Sequence, residues 1–162
     1  MTPKKPRHPT ADSLLRVAAV QAAPVLMDRE ATLARVADLT RSAAADGAEL
    51  VVFPEAFVPG PPVWIDTARI WDGDDEWYGV LADQAVVVPG PATARLGDIA
   101  RGAGVWLVVG VDERDGGTIY NTLLYLAPDG TPISRQGGPL TGERPRGRRG
   151  RRDPGAGRRR AS

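Results

Sequence analysis

The last large apolar side chain in the sequence is Leu140, and no element that needs a core can be built beyond it. The 22 residues of TGERPRGRRGRRDPGAGRRRAS, from Thr141 to Ser162, contain no large aliphatic or aromatic side chain. A segment with nothing to bury cannot offset the entropy of ordering its backbone, so disorder is expected there. The charge changes at the same place. Residues 1–134 hold 11 Lys+Arg against 18 Asp+Glu, whereas residues 135–162 hold 10 Arg against Glu143 and Asp153. The formal net charge of +1 therefore averages an acidic body and a basic tail. We divide the chain into a disordered leader (1–15), a folded region (16–135) and a disordered Arg/Gly/Pro-rich tail (136–162).

Two absences narrow the chemistry. The sequence has no cysteine, which excludes a disulfide, a thiolate metal site and a cysteine nucleophile within it. Its one histidine, His8, lies in the leader, so neither a Ser-His-Asp triad nor a histidine-based zinc site can be assembled. There is no phosphate-binding or dinucleotide-binding glycine pattern, and the acids Asp72, Asp74, Asp75 and Glu76 lack the spacing of a calcium loop. They read as a solvated loop, and no metal or cofactor is expected. No apolar run is long enough for a transmembrane helix. The leader, MTPKKPRHPTADS, is basic and proline-rich without the apolar stretch of a signal peptide, so a cytoplasmic location is expected.

The body alternates strand and helix signals. RVAAVQAAP (16–24) reads as a buried strand. Asp28 can cap a helix in which Leu33, Val36, Ala37, Thr40 and Ala44 recur at helical spacing, and Asp46-Gly47 ends it. Residues 49–53 form the next strand, completing a β-α-β unit. Residues 58–78 read as a long irregular connection anchored by Trp64, Trp71 and Trp77, with packing roles for the tryptophans. Residues 91–104 have proline near the first turn of a helix and glycine as its terminator. VWLVVGV (105–111) and TIYNTLLYLAP (118–128) read as strands, and a PDG turn leads toward TPIS. The expected class is a layered α/β domain.

One segment stands out, GAELVVFPEAFVPGP (47–61). It places Glu55 directly after an apolar strand and a proline, although a charged group among apolar residues is normally paired, functional or simply at the start of an exposed loop. Gly47, Leu50, Val51, Phe53, Glu55, Val58, Gly60 and Pro61 match the pattern around the general-base glutamate of the nitrilase (carbon–nitrogen hydrolase) superfamily. RVAAVQAAPV is similar to that family's opening strand. FVPGPPVWI and residues 88–130 resemble its true-nitrilase branch, with Pro61 where tyrosine is usual. The resemblance covers about residues 16–135 and implies an N-terminal part of an α-β-β-α sandwich.

The same resemblance implies hydrolysis of nitriles or amides by a Glu-Lys-Cys triad without a cofactor, in proteins that are typically homo-oligomeric. The cysteine attacks the nitrile carbon to form a covalent thioimidate, the glutamate accepts the thiol proton and later activates water, and the lysine stabilises developing negative charge. Carried over, Glu55 is the general base and Glu113, in GVDERDG, matches a second glutamate that orders the site. Asp112 is its nearest rival, and a plain turn charge is the alternative for Glu113. The departure lies downstream. Where the family has a stretch like HRKLMPT-GER, this sequence reads SRQGGPLTGERPRG, and its only lysines are Lys4 and Lys5. Two triad members are missing, so the chain as written is expected to be inactive. The abrupt change to Arg, Gly, Pro and Ala is what a GC-rich gene gives in a shifted frame, and residues from about 136 are expected to be out of frame. The alternative is a genuine arm that binds RNA or another polyanion through its arginines.

Overall fold

The computed structural model describes residues 14–66 and 74–139. Most of the leader, most of the tail, Trp71 and Asp72 lie outside the described residues. The sheet has five strands in chain order: β1 (Val17–Ala19), β2 (Leu50–Val52), β3 (Trp106–Asp115), β4 (Thr118–Leu126) and β5 (Pro132–Pro139). β1, β2 and β3 are parallel, whereas β3–β4 and β4–β5 are antiparallel. The parallel pairs need crossovers, supplied by helix α1 (Arg29–Ala45) between β1 and β2 and helices α2 (Asp74–Gln84) and α3 (Pro91–Ala103) between β2 and β3. This is a mixed α/β sheet, as expected.

Helix α1 begins where the sequence places its cap, with the Asp28 carboxylate accepting from the Ala31 backbone N–H at 2.9 Å. Thr32, Leu33, Val36 and Thr40 form its fully buried stripe. Helix α3 has Pro91 at its start and ends at Gly104, whose φ of 69° is the left-handed cap geometry open to glycine. Both helices pack on one face of the sheet. Leu33, Val36, Leu96 and Ala100 meet Val51, Leu107, Val109, Val111, Leu124 and Leu126 in one core. Register explains that set. Leu107 lies opposite Leu126 and Val109 opposite Leu124, so these side chains share a face.

The other face carries Leu50, Val52, Trp106, Val108, Leu123 and Tyr125, all only partly buried. No described helix covers it, so the structure contains one α-β layer pair of the expected sandwich. That leaves a half-dry apolar sheet face, a surface that favours association.

Three elements differ from the sequence reading. The first strand is three residues long and lies at the sheet edge, with Val17 exposed rather than buried. Among the described residues it pairs with β2 alone. The connection at 58–78 is not irregular throughout. It holds a short 3-10 turn (Val63–Asp66), and its acidic run opens α2, where negative charge suits the helix N-terminus. Helix α2 was hard to see because Trp77, Tyr78 and Val80 are exposed and only Leu81 is a large buried side chain. Trp64 and Trp77 stack with ring centroids 6.0 Å apart. Finally, β5 runs to Pro139, past the expected boundary at 135. Gln136, Gly137 and Gly138 pair with Leu123, Thr122 and Asn121 through backbone groups, which require no apolar side chains.

Replacing Asp28 with alanine removes the cap while leaving the helix surface intact. Chemical denaturation of Asp28→Ala is expected to show a loss of about 1 kcal/mol; an unchanged midpoint would mean that the bond contributes nothing to folding.

Candidate active site

Strand β2 ends at Val52, and the Phe53 N–H still holds the sheet by donating to the Val108 carbonyl at 2.8 Å. The chain then bulges. The Gly110 N–H donates to the Pro54 carbonyl at 3.2 Å, and both Phe57 and Val58 N–H groups donate to the Gly110 carbonyl at 2.9 and 3.1 Å. Extra residues have to leave the sheet plane between these anchor points. They pass directly over Gly110, where a Cβ would strike the Pro54 carbonyl, the Glu55 Cα and the Ala56 nitrogen. Only glycine permits that approach. Ala56 takes a left-handed φ of 47°, a strained value for a residue with a side chain.

This bulge accounts for a carboxylate within an apolar segment. Phe53, Ala56 and Phe57 point inward and are buried, with the two phenyl rings 5.0 Å apart. Glu55 sits at the crest, exposed on the open sheet face. Asn121 of β4 donates from Nδ2 to Glu55 Oε2 at 3.1 Å. Glu55 therefore stands just past the C-terminal end of a strand with neighbours on both sides. Asn121, which lies within the strand read at 118–128, is part of the site.

The two candidates on β3 go to opposite faces. Asp112 lies directly across the ladder from Asn121, so its side chain shares the Glu55 face. Glu113 lies across from Tyr120 on the helix-packed face, is buried, and pairs with Arg135 of β5. It borders a polar recess of about 240 Å³ lined by Asp115, Tyr120, Thr122, Arg135 and Gly137. The structure brings together Glu55, Asn121 and Asp112, but places Glu113 on the far side of the sheet. Among the described residues, no group of three or more acidic side chains is arranged to hold a metal, and no helix is long and apolar enough to cross a membrane.

Asp112 is fully buried, and neither carboxyl oxygen has a hydrogen-bond partner among the described residues. Burial disfavours its charged form and pushes its pKa from 3.8 up to about 7.

The family model for carbon-nitrogen hydrolases matches residues 16–137, which include every residue of this arrangement. The chain belongs to the carbon-nitrogen hydrolase family. An aliphatic nitrilase from Sinorhizobium fredii is 48% identical over 120 residues, 71% of this chain and 39% of the relative. An aliphatic nitrilase from Rhodococcus rhodochrous is 37% identical over 123 residues, 75% of this chain and 33% of the relative. This carbon-nitrogen hydrolase chain thus spans between a third and two fifths of the length of those two relatives. Among solved structures, an amidase from Nesterenkonia sp. superposes with a TM-score of 0.56 over 75% of this chain and 41% of its own, at 24% identity, a likeness of fold.

The Asp112 carboxyl makes this family member sensitive to pH in a definite direction. Between about pH 4 and 7 the folded chain keeps a proton that the unfolded chain has released, so this group's contribution to stability falls as pH rises and levels off above 7. The full span is roughly 4 kcal/mol. Asp112→Asn is expected to remove that slope, becoming progressively more stable than wild type from pH 4 to 7 in urea titrations. Parallel pH profiles for the two proteins would contradict this account of Asp112.

Proposed function

We propose that the folded region is the base-bearing part of a nitrilase-type site, built to convert a nitrile and water to a carboxylic acid and ammonia, with small nitriles or amides as its substrate class. The observation that carries this reading is Glu55, raised over Gly110 at the end of β2 and tied to Asn121. Glu55 is the general base, accepting a thiol proton and then activating water for hydrolysis of the covalent intermediate. Glu113 enters through its ion pair with Arg135, which ties β5 to β3 across β4 on the helix side of the sheet. Asp112, on the face of Glu55, is the better placed second carboxyl.

The chain as written lacks both remaining triad members. It has no cysteine, and its only lysines, Lys4 and Lys5, precede the region that matches the family, which begins at residue 16. Residues that act as one catalytic unit fail together, so a base without a nucleophile has no covalent chemistry to assist. None of the serines Ser13, Ser42, Ser134 and Ser162 has a histidine to activate it, since His8 is the only one. Residues from about 136 are proposed to be out of frame, which the DNA downstream of codon 135 would reveal as an alternate frame encoding a lysine and then a cysteine. The purified chain is expected to release no more ammonia from aliphatic or aromatic nitriles than its Glu55→Gln variant. Turnover that Glu55→Gln abolishes would overturn the proposed inactivity and support Glu55 as the base.

The ten arginines of residues 135–162 favour a second reading, polyanion binding by the tail. Each phosphate neutralised releases a counterion, so RNA affinity should fall steeply with added salt and vanish on deletion of residues 144–160. An absence of binding at low salt would remove this reading.

A further inference from the structure

The open sheet face holds two carboxyl groups and one side-chain amide in a short row. Asn121 donates to Glu55 Oε2 at 3.1 Å. Directly across the ladder stands Asp112, fully buried and without a hydrogen-bond partner among the described residues. Residues opposite each other in an antiparallel pair have Cβ atoms about 4.5–5.5 Å apart, so Asp112 and Asn121 are side-chain neighbours. The other charged group on β3 that shares this face near Asp112 is Arg114, two residues along the strand. The same-face positions nearest on β4 are Ile119 and Leu123, and those on β5 are Gln136 and Gly138, none of them charged. The segment paired with β3 beside Asp112 presents Ala85 and Val87.

We infer that Asp112 and Asn121 form a proton-controlled positioning pair for Glu55. With Asp112 protonated, the Asn121 amide is held by Glu55. Once Asp112 loses its proton, a buried carboxylate without a partner must find a donor, because leaving it unpaired is costly. The Asn121 amide is the neutral donor beside it. Its N–H groups are drawn toward Asp112, and the hold on Glu55 loosens. Neither residue need touch a substrate; both act through Glu55. The consequence for hydrolysis rests on the reading of Glu55 as the base, but the coupling itself does not.

The direct test follows the Asn121 side-chain amide by ¹H–¹⁵N NMR of the full chain between pH 5 and 9, with the Asp112 side-chain carboxyl followed by ¹³C. The amide signals are expected to move with a midpoint in the neutral range, shared with the Asp112 carboxyl. In Asp112→Asn the movement should disappear. In Glu55→Gln the low-pH amide position should change and the shared midpoint should move to lower pH, because Asp112 no longer competes with a second carboxylate for the amide. An amide that is unmoved over this range, or that moves with a midpoint different from that of Asp112, would overturn the proposal. So would movement that persists in Asp112→Asn. If that variant does not fold, the wild-type comparison of the two midpoints decides alone. Because no turnover is measured, failure here leaves the nitrilase reading standing, and failure of that reading in the ammonia assay leaves the coupling standing.

Discussion

The arrangement depends on one close approach, the backbone of Pro54–Ala56 lying against Gly110. At that point β3 has no side chain on the open face, so the chain leaving β2 can cross it and rejoin the sheet at Val58. The crossing lifts Glu55 out of the sheet while Phe53 and Phe57 anchor both sides of the bulge in the core. A methyl group at position 110 would push the bulge away and move the carboxylate from Asn121. The strained Ala56 suggests that the surrounding contacts, rather than local preference, impose this geometry.

Around that point the two sheet faces serve different ends. The helix side holds the apolar core, and toward the β5 edge it carries the ion pair of Glu113 with Arg135 beside a polar recess. The open side carries Glu55, Asn121 and Asp112 near the ends of the parallel strands, and half-buried apolar residues from Leu50 to Tyr125 elsewhere. Chemistry and an unfilled apolar surface thus share one face. In the α-β-β-α sandwich that the resemblance implies, such a face meets a second sheet, and the proposed base stands on that side.

Much of this was legible in the sequence because local signals agreed. The Asp28 cap, the Pro91 start and Gly104 stop of α3, and the two long strands were each marked by residues whose conformational preferences match their places. The edge position of β1 was not legible, since an apolar run reads alike whether one or both of its sides are paired. Helix α2 was obscured by its exposed aromatics, and the end of β5 by glycines that pair through backbone alone. At the site, the pattern around Glu55 was plain, but its partner was not. Asn121 reaches Glu55 through strand register across 66 residues of chain, which no local pattern records. Register also separates Asp112 from Glu113, neighbours in sequence that a strand sends to opposite faces. The glycine at 110 inside an otherwise apolar strand was the one available hint of the crossing.

The central claim is that residues 16–135 carry a working base in working position, and a chimera tests it most directly. Residues 16–135 would replace the matching part of the Sinorhizobium fredii aliphatic nitrilase, whose remaining sequence supplies the rest of the protein. The account predicts a folded chimera that releases ammonia from aliphatic nitriles and loses at least about 100-fold in kcat when Glu55 is changed to Gln. A chimera that stays equally active with Glu55→Gln, or that folds and assembles yet shows no turnover, would contradict it.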